Sequence, residues 1–208
     1  MPSSALSEVH QPIDGYIRYF GLGTWWLNEL TENERTRIGK VYQSGNPEDT
    51  VTSDTLVSTS QHVVSFLGGL AGWFNNGENR ALARKILDMA STLASEAPIL
   101  DQHFFLQQLI EVSYKERQDL TRLKVAIAAC RRQIALAPEA ANAFKLRYRD
   151  RELPLPSHKG YEQLAIVLEK DGHYRAVVEL SQQAKFHGWA GDWDKRIERC
   201  NKKLTKAN

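Results

Sequence analysis

The chain has 208 residues, of which 42% are hydrophobic and 25% charged, and its formal net charge is only +2. That length supports one large domain or two small ones with a sizeable core, and the balance excludes a disordered polyelectrolyte. So small a charge leaves no whole-molecule field demanding nucleic acid or a membrane surface.

Residues 1–12 are polar, carry two prolines and read as a flexible tail with no signal-peptide pattern. Residues 13–60 read as an aromatic N-terminal cap followed by a polar linker. Tyr16, Tyr19, Phe20, Trp25 and Trp26 crowd residues 13–30, while Gly21 and Gly23 argue against one long helix. The spacing predicts an irregular lead-in and a short helix around Trp25–Leu30. Thr31, three residues before Glu34, is a capping-box signature for a helix to about Tyr42. Trp26, Leu30, Ile38, Val41 and Tyr42 can pack as a cap on the first helical hairpin, or the rings can form a ligand-binding cage. Residues 44–60 are rich in Ser, Thr, Asp, Gly and Pro, a linker that Val51, Leu56 and Val57 can pin down.

Gln61–Ser95 reads as a helical hairpin. Leu67, Leu70, Ala71 and Phe74 form one stripe, Asn76-Gly77-Glu78-Asn79 the turn, and Ala83, Leu87 and Ala90 the second stripe. Gly68, Gly69 and Gly72 inside the first helix cost about 1 kcal/mol each relative to Ala. Such a run signals close approach by another backbone: the N-terminal cap first, otherwise a partner helix or a second subunit. Asp101–Pro138 is a further hairpin, with Leu106, Leu109, Ile110 and Ser113 on one helix and Leu123, Ala126, Ile127, Cys130, Ile134 and Leu136 on the other; Pro138 closes it. Glu139–Arg151 reads as an additional helix with Ala140, Ala143, Phe144 and Tyr148 on one face, ended by Leu153-Pro154-Leu155-Pro156.

Ser157 is expected to cap the most regular hairpin, His158 to Lys185. Tyr161, Leu164, Ala165 and Leu168 fall on one helical face. Gly172 permits a positive φ at the turn, and Tyr174, Val177, Val178, Ser181 and Ala184 form the returning stripe. Small residues at Ala165, Ser181 and Ala184 let the axes approach closely. Asp192 then caps a last helix with Trp193, Ile197, Cys200 and Leu204 on its apolar stripe.

The set Tyr161, Leu164, Ala165, Leu168, Gly172, Tyr174, Val177, Ser181 and Ala184 resembles a tetratricopeptide (TPR) repeat. It departs from that pattern at Val177, where Ala is usual, and at Trp189, where Pro commonly stands. The resemblance implies an all-α, TPR-like superhelix of about three helical hairpins with capping helices at both ends. The repeat region would be 61–208, packed with 13–43 as one domain. Ala83, Ala126 and Val177 stand farther apart than the roughly 34 residues of a regular array, so the repeat is degenerate.

No HExxH, GxxxxGK[ST] or GxSxG motif is present, and the six histidines are scattered. His103 and His158 precede helices, where a ring nitrogen can cap. Cys130 and Cys200 stand on apolar stripes without a CxxC or Cys/His neighbour, as free buried thiols of a cytoplasmic protein do. No cofactor, metal or membrane span is expected. The TPR resemblance implies a non-enzymatic module that binds a peptide or partner protein in a concave groove. It places Asn75, Asn76, Gln107, Glu111, Tyr114, Lys115, Lys159, Glu162, Ile166 and Lys170 on that face. One alternative is a nucleic-acid partner held through phosphates by Lys195, Arg199, Lys202, Lys203 and Lys206, with Lys145, Arg147, Arg149 and Arg151 as a second basic cluster. Another is an enzyme assembled from distant residues such as His103, Glu111 and His158. Asp194 and Glu198 read as a solvated acidic pair.

Overall fold

In the computed structural model, residues 13–42, 51–52, 58–149 and 154–207 are described. Helices make up 76% of the described residues, among which there is one small two-stranded sheet. The chain divides into two compact units, with the boundary between Gln61 and His62. Leu56, Val57, Arg151 and the tail 1–12 lie outside the described residues.

In the first unit, α1 (Gly15–Tyr19) forms where an irregular lead-in was expected, and α2 (Gly23–Asn28) and α3 (Glu32–Val41) follow. Gly21 has φ +67°, a conformation that lets the chain turn between α1 and α2 without a Cβ clash. Thr31 makes the full capping box: its Oγ1 accepts from Glu34 N–H at 3.3 Å and Glu34 Oε2 accepts from Thr31 N–H at 2.8 Å. Ile17, Leu22, Trp25, Trp26, Leu30 and Ile38 are buried, whereas Val41 is exposed. Val51 is buried too, and its carbonyl accepts the Ile17 N–H at 3.3 Å.

In the second unit the three expected helix pairs form: α4 (Val63–Trp73) with α5 (Arg80–Leu93), α6 (Ile99–Lys115) with α7 (Leu120–Ala135), and α9 (Lys159–Lys170) with α10 (Tyr174–Phe186). Between the last two pairs stand α8 (Ala137–Arg147) and the short strand β1 (Leu155–Ser157). Strand β2 (Trp189–Ala190) and α11 (Trp193–Ala207) end the chain. The first helices lie side by side in the order α4, α6, α9, while α5 also packs on α6 and α7 on α9. Helix α8 covers α6, and α11 covers α10. The Arg84 guanidinium clamps both oxygens of Glu116, at 2.5 and 2.7 Å, tying α5 to the end of α6.

Local chemistry explains most of these boundaries. His62 Nδ1 and Asp119 Oδ1 accept from the first-turn amides of α4 and α7. Gly172, at φ +78°, makes the turn between α9 and α10. Ala165, Ser181 and Ala184 are fully buried, as close helix crossing requires. In α7 only Ala126 and Cys130 of the expected stripe are buried; Leu123, Ile127 and Ile134 are partly covered.

Several expectations are corrected. Ser157 does not cap α9, because its backbone is drawn into β1, which pairs in parallel with β2 (Leu155 opposite Trp189, Ser157 opposite Ala190). His158 caps instead, its Nδ1 accepting from Tyr161 N–H at 3.3 Å. His103 precedes no helix: it lies inside α6, in the core. Pro138 opens α8 in its first turn rather than closing α7, where its missing N–H costs nothing. The element that closes on the glycine run of α4 is α6, a helix of the same unit. A Cβ on Gly72 would stand 3.1 Å from Gln108 Oε1, and one on Gly68 would stand 3.9 Å from Phe105 Cα. Trp189, standing where the repeat pattern has proline, anchors a core cluster with Phe144, Leu155, Tyr161 and Trp193.

Candidate functional site

The side-by-side order of α4, α6 and α9 gathers part of the expected binding set onto one partly exposed surface. On α6, Gln107 and Glu111 are one turn apart, and Gln107 Nε2 donates to Glu111 Oε1 at 3.4 Å. Lys159, the first residue of α9, places its Nζ 3.9 Å from the same carboxylate oxygen. One turn further along α6, Lys115 Nζ donates to the Asn75 carbonyl at 3.1 Å, and Arg80 Nε donates to Asn75 Oδ1 at 3.3 Å. Tyr114 is partly exposed and carries the Arg117 guanidinium 5.0 Å over its ring. The Lys159 and Glu111 side chains keep about a third of their surface in water, so the pair is weak and can exchange partners.

Other members stand apart. Asn76 is engaged in its own turn, donating to the Trp73 carbonyl and accepting from Asn79. Glu162 and Ile166 are partly exposed along α9. Lys170 is exposed at its far end, about 16 Å from Lys159 at 1.5 Å per residue. Gln108, absent from the expected set, lies between α6 and the glycines of α4.

On α11 Arg199 and Lys203 are committed, whereas Lys195 and Lys202 make only exposed, weak pairs. Arg199 donates twice to Glu169 on α9, both at 2.8 Å, and Arg196 and Lys203 approach the same carboxylate at 3.7 and 3.5 Å. The Arg199 hydrogen bonds hold the Glu169 carboxyl down at about 2. Lys203 also lies 4.8 Å over the Tyr174 ring. Lys202 pairs with Glu198 at 2.6 Å and Lys195 with Asp192 at 3.6 Å, while Lys206 is exposed. Asp194 takes Lys185 at 2.7 Å. The contacts to Glu169 and Lys185 stitch α11 to α9 and α10. On α8, Lys145 and Arg147 are exposed, with Arg147 6.0 Å over the Tyr148 ring.

Behind the polar face lies a buried knot that the sequence does not announce. Gln133, fully buried on α7, donates to the His103 carbonyl at 2.9 Å and accepts from Gly160 N–H at 2.6 Å, joining α6, α7 and α9. A polar residue inside the α7 stripe was the available signal. His103 and His158 meet there, ring centroids 5.0 Å apart, sealed from solvent. Burial lowers His103 to about 4; burial, and then the neighbouring His103, lower His158 to about 3. Glu111 faces Lys159 on the open side, so the structure does not assemble His103, Glu111 and His158 into one exposed constellation. Cys130 is buried beside the knot, its thiol pushed up to about 12 by desolvation, and Cys200 is buried on α11 against Ala165 and Val177.

Among the described residues no group of three or more His, Cys, Asp or Glu stands close enough to hold a metal ion, and no helix is long and apolar enough to cross a membrane. Compared with known proteins, the chain matches no family model, no curated protein and no solved structure.

Proposed function

We propose that this protein is a non-enzymatic interaction module, a degenerate TPR-like superhelix that takes a peptide segment of a partner protein along the face of α4, α6 and α9. The observation that carries this reading is the alignment of three first helices, with two polar groups beside it: Lys115 on Asn75 just past the end of α4, and Gln107, Glu111 and Lys159 between α6 and α9. Donors and acceptors there are only weakly satisfied by one another. A peptide backbone and its charged side chains can therefore replace those partners at little loss. The α11 surface supports a phosphate ligand less well, since Arg199 and Lys203 already hold Glu169.

The experiment is a selection from a displayed peptide library against the full chain, followed by binding titration of the selected peptides. Binding that falls at least tenfold in both Glu111→Lys and Lys159→Glu, with no change in a Lys202/Lys206 double alanine variant, is the expected outcome. Peptides indifferent to both reversals overturn the assignment. Binding of single-stranded nucleic acid that the alanine variant abolishes favours the phosphate reading.

A further inference from the structure

The buried knot has a property that packing alone does not require. His103 is 1% exposed and His158 0%, and both rings lie against Trp189. His103 stacks on the indole at 5.2 Å and 7°, and His158 meets it at 4.7 Å and 76°. His103 Nδ1, His158 Nε2 and Trp189 Nε1 are buried without a hydrogen-bond partner. His158 Nδ1 accepts the Tyr161 N–H, which fixes the neutral tautomer with its proton on Nε2. Gly160 sits between these residues at a close crossing: a Cβ there would stand 2.9 Å from the Cys130 carbonyl oxygen and 3.2 Å from His158 Cε1.

We propose that His103 and His158 form an acid-sensitive latch, in which proton uptake by the pair frees the N-terminus of α9 and Trp189 from α6. This inference rests on the knot itself, not on the peptide-binding reading. Three features of the geometry drive it. A protonated His158 is a donor at both ring nitrogens, so it can no longer accept from Tyr161 and the helix cap is lost. Its charge would also sit at the N-terminal end of α9, where the backbone dipole disfavours a cation. Finally, among the described residues no carboxylate is bonded to either ring to neutralise it. Helix α7 presents Cys130 and Gln133, α8 Phe144, α9 Tyr161 and β2 Trp189, while His187 at the end of α10 bonds to the Tyr161 hydroxyl. The α6 carboxylates are engaged elsewhere, Asp101 with Ser65 and Glu111 with Lys159; Glu139 and Lys145 of α8 are exposed.

The direction with pH comes from linkage. Once open, both imidazoles take protons as pH falls through about 6.5; while closed, they resist until about 4 and about 3. Closure is therefore at full strength above pH 6.5 and weakens as pH falls. The opening equilibrium should rise roughly tenfold per exposed histidine for each unit below about pH 6.

The test is hydrogen exchange of the full chain, read by mass spectrometry at pH 7, 6 and 5 and corrected for the intrinsic exchange rate. Peptides spanning 157–165 and 187–193 are expected to lose protection at least tenfold between pH 6 and 5, while those of α4 and α5 keep theirs. A double variant, His103→Phe with His158→Asn, keeps a capping acceptor but cannot titrate, and should hold its protection. Unchanged protection at pH 5 overturns the latch, as does loss spread equally through α4 and α5, or the same loss in the double variant. Should that variant fold poorly, the imidazole resonances of the wild-type chain decide. Both rings neutral at pH 5.5 support the proposal; ordinary titration near pH 6.5 in the folded protein refutes it.

Discussion

Gly160→Ala is the sharpest perturbation of the helix stack. The new methyl would stand 2.9 Å from the Cys130 carbonyl oxygen and 2.9 Å from Gln133 Oε1. The glutamine is pinned at both ends, and the carbonyl belongs to α7, so neither can swing aside. The start of α9 must therefore lift by a few tenths of an ångström. Overpacking of this kind costs about 1–3 kcal/mol, and stretching the buried Gly160–Gln133 hydrogen bond adds about 1 kcal/mol. Alanine returns close to 1 kcal/mol of helix propensity, leaving a net loss of about 2 kcal/mol. In thermal unfolding followed by circular dichroism, that corresponds to a fall of roughly 4–8 °C for a unit of this size. A Gly160→Ala variant as stable as the parent, or more so, would refute the close crossing of α7 and α9.

Other substitutions probe separate contacts in the two units. Gly69→Ala meets nothing within 4 Å and should stabilise α4 by about 0.5–1 kcal/mol, measured by urea unfolding. Gln133→Leu removes the bridge between the His103 carbonyl and Gly160 and leaves the buried Gly160 N–H unpaired, while the carbonyl keeps its bond within α6; it should cost about 1–3 kcal/mol in the same assay. Thr31→Ala breaks the capping box and should lower the stability of the first unit by about 1 kcal/mol, visible as faster amide exchange in the first turn of α3. Glu169→Gln should loosen α11 by about 1 kcal/mol, less in high salt because water reaches the network. Since that carboxyl lies below its ordinary value, its contribution is present above pH 4.5 and fades as pH falls toward about 2.

Elements with a local cause were legible in the sequence. The stripes of α4, α5, α6, α9 and α11, the Thr31–Glu34 box and the Gly172 turn each depend on residues within one or two turns of one another. What escaped depends on distance. Leu155 and Trp189 pair across the whole α9–α10 hairpin, and strands of two or three residues carry no alternation to detect. That pairing takes the Ser157 backbone and moves the cap to His158. The glycines of α4 announced a close neighbour but could not identify α6, because any helix would satisfy them. Of the candidate face, Gln107 and Glu111 came together with Lys159, and Lys115 with Asn75. Asn76 was lost to its own turn, and Lys170 to the length of α9.

The proposed peptide site is the polar surface of α4, α6 and α9. It is tested most directly by backbone amide shifts of the isotope-labelled chain on titration with a selected peptide. Shifts concentrated at Asn75, Gln107, Glu111, Tyr114, Lys115, Lys159 and Glu162 are the predicted result. Shifts confined to Lys195–Lys206, or spread without pattern, would contradict it.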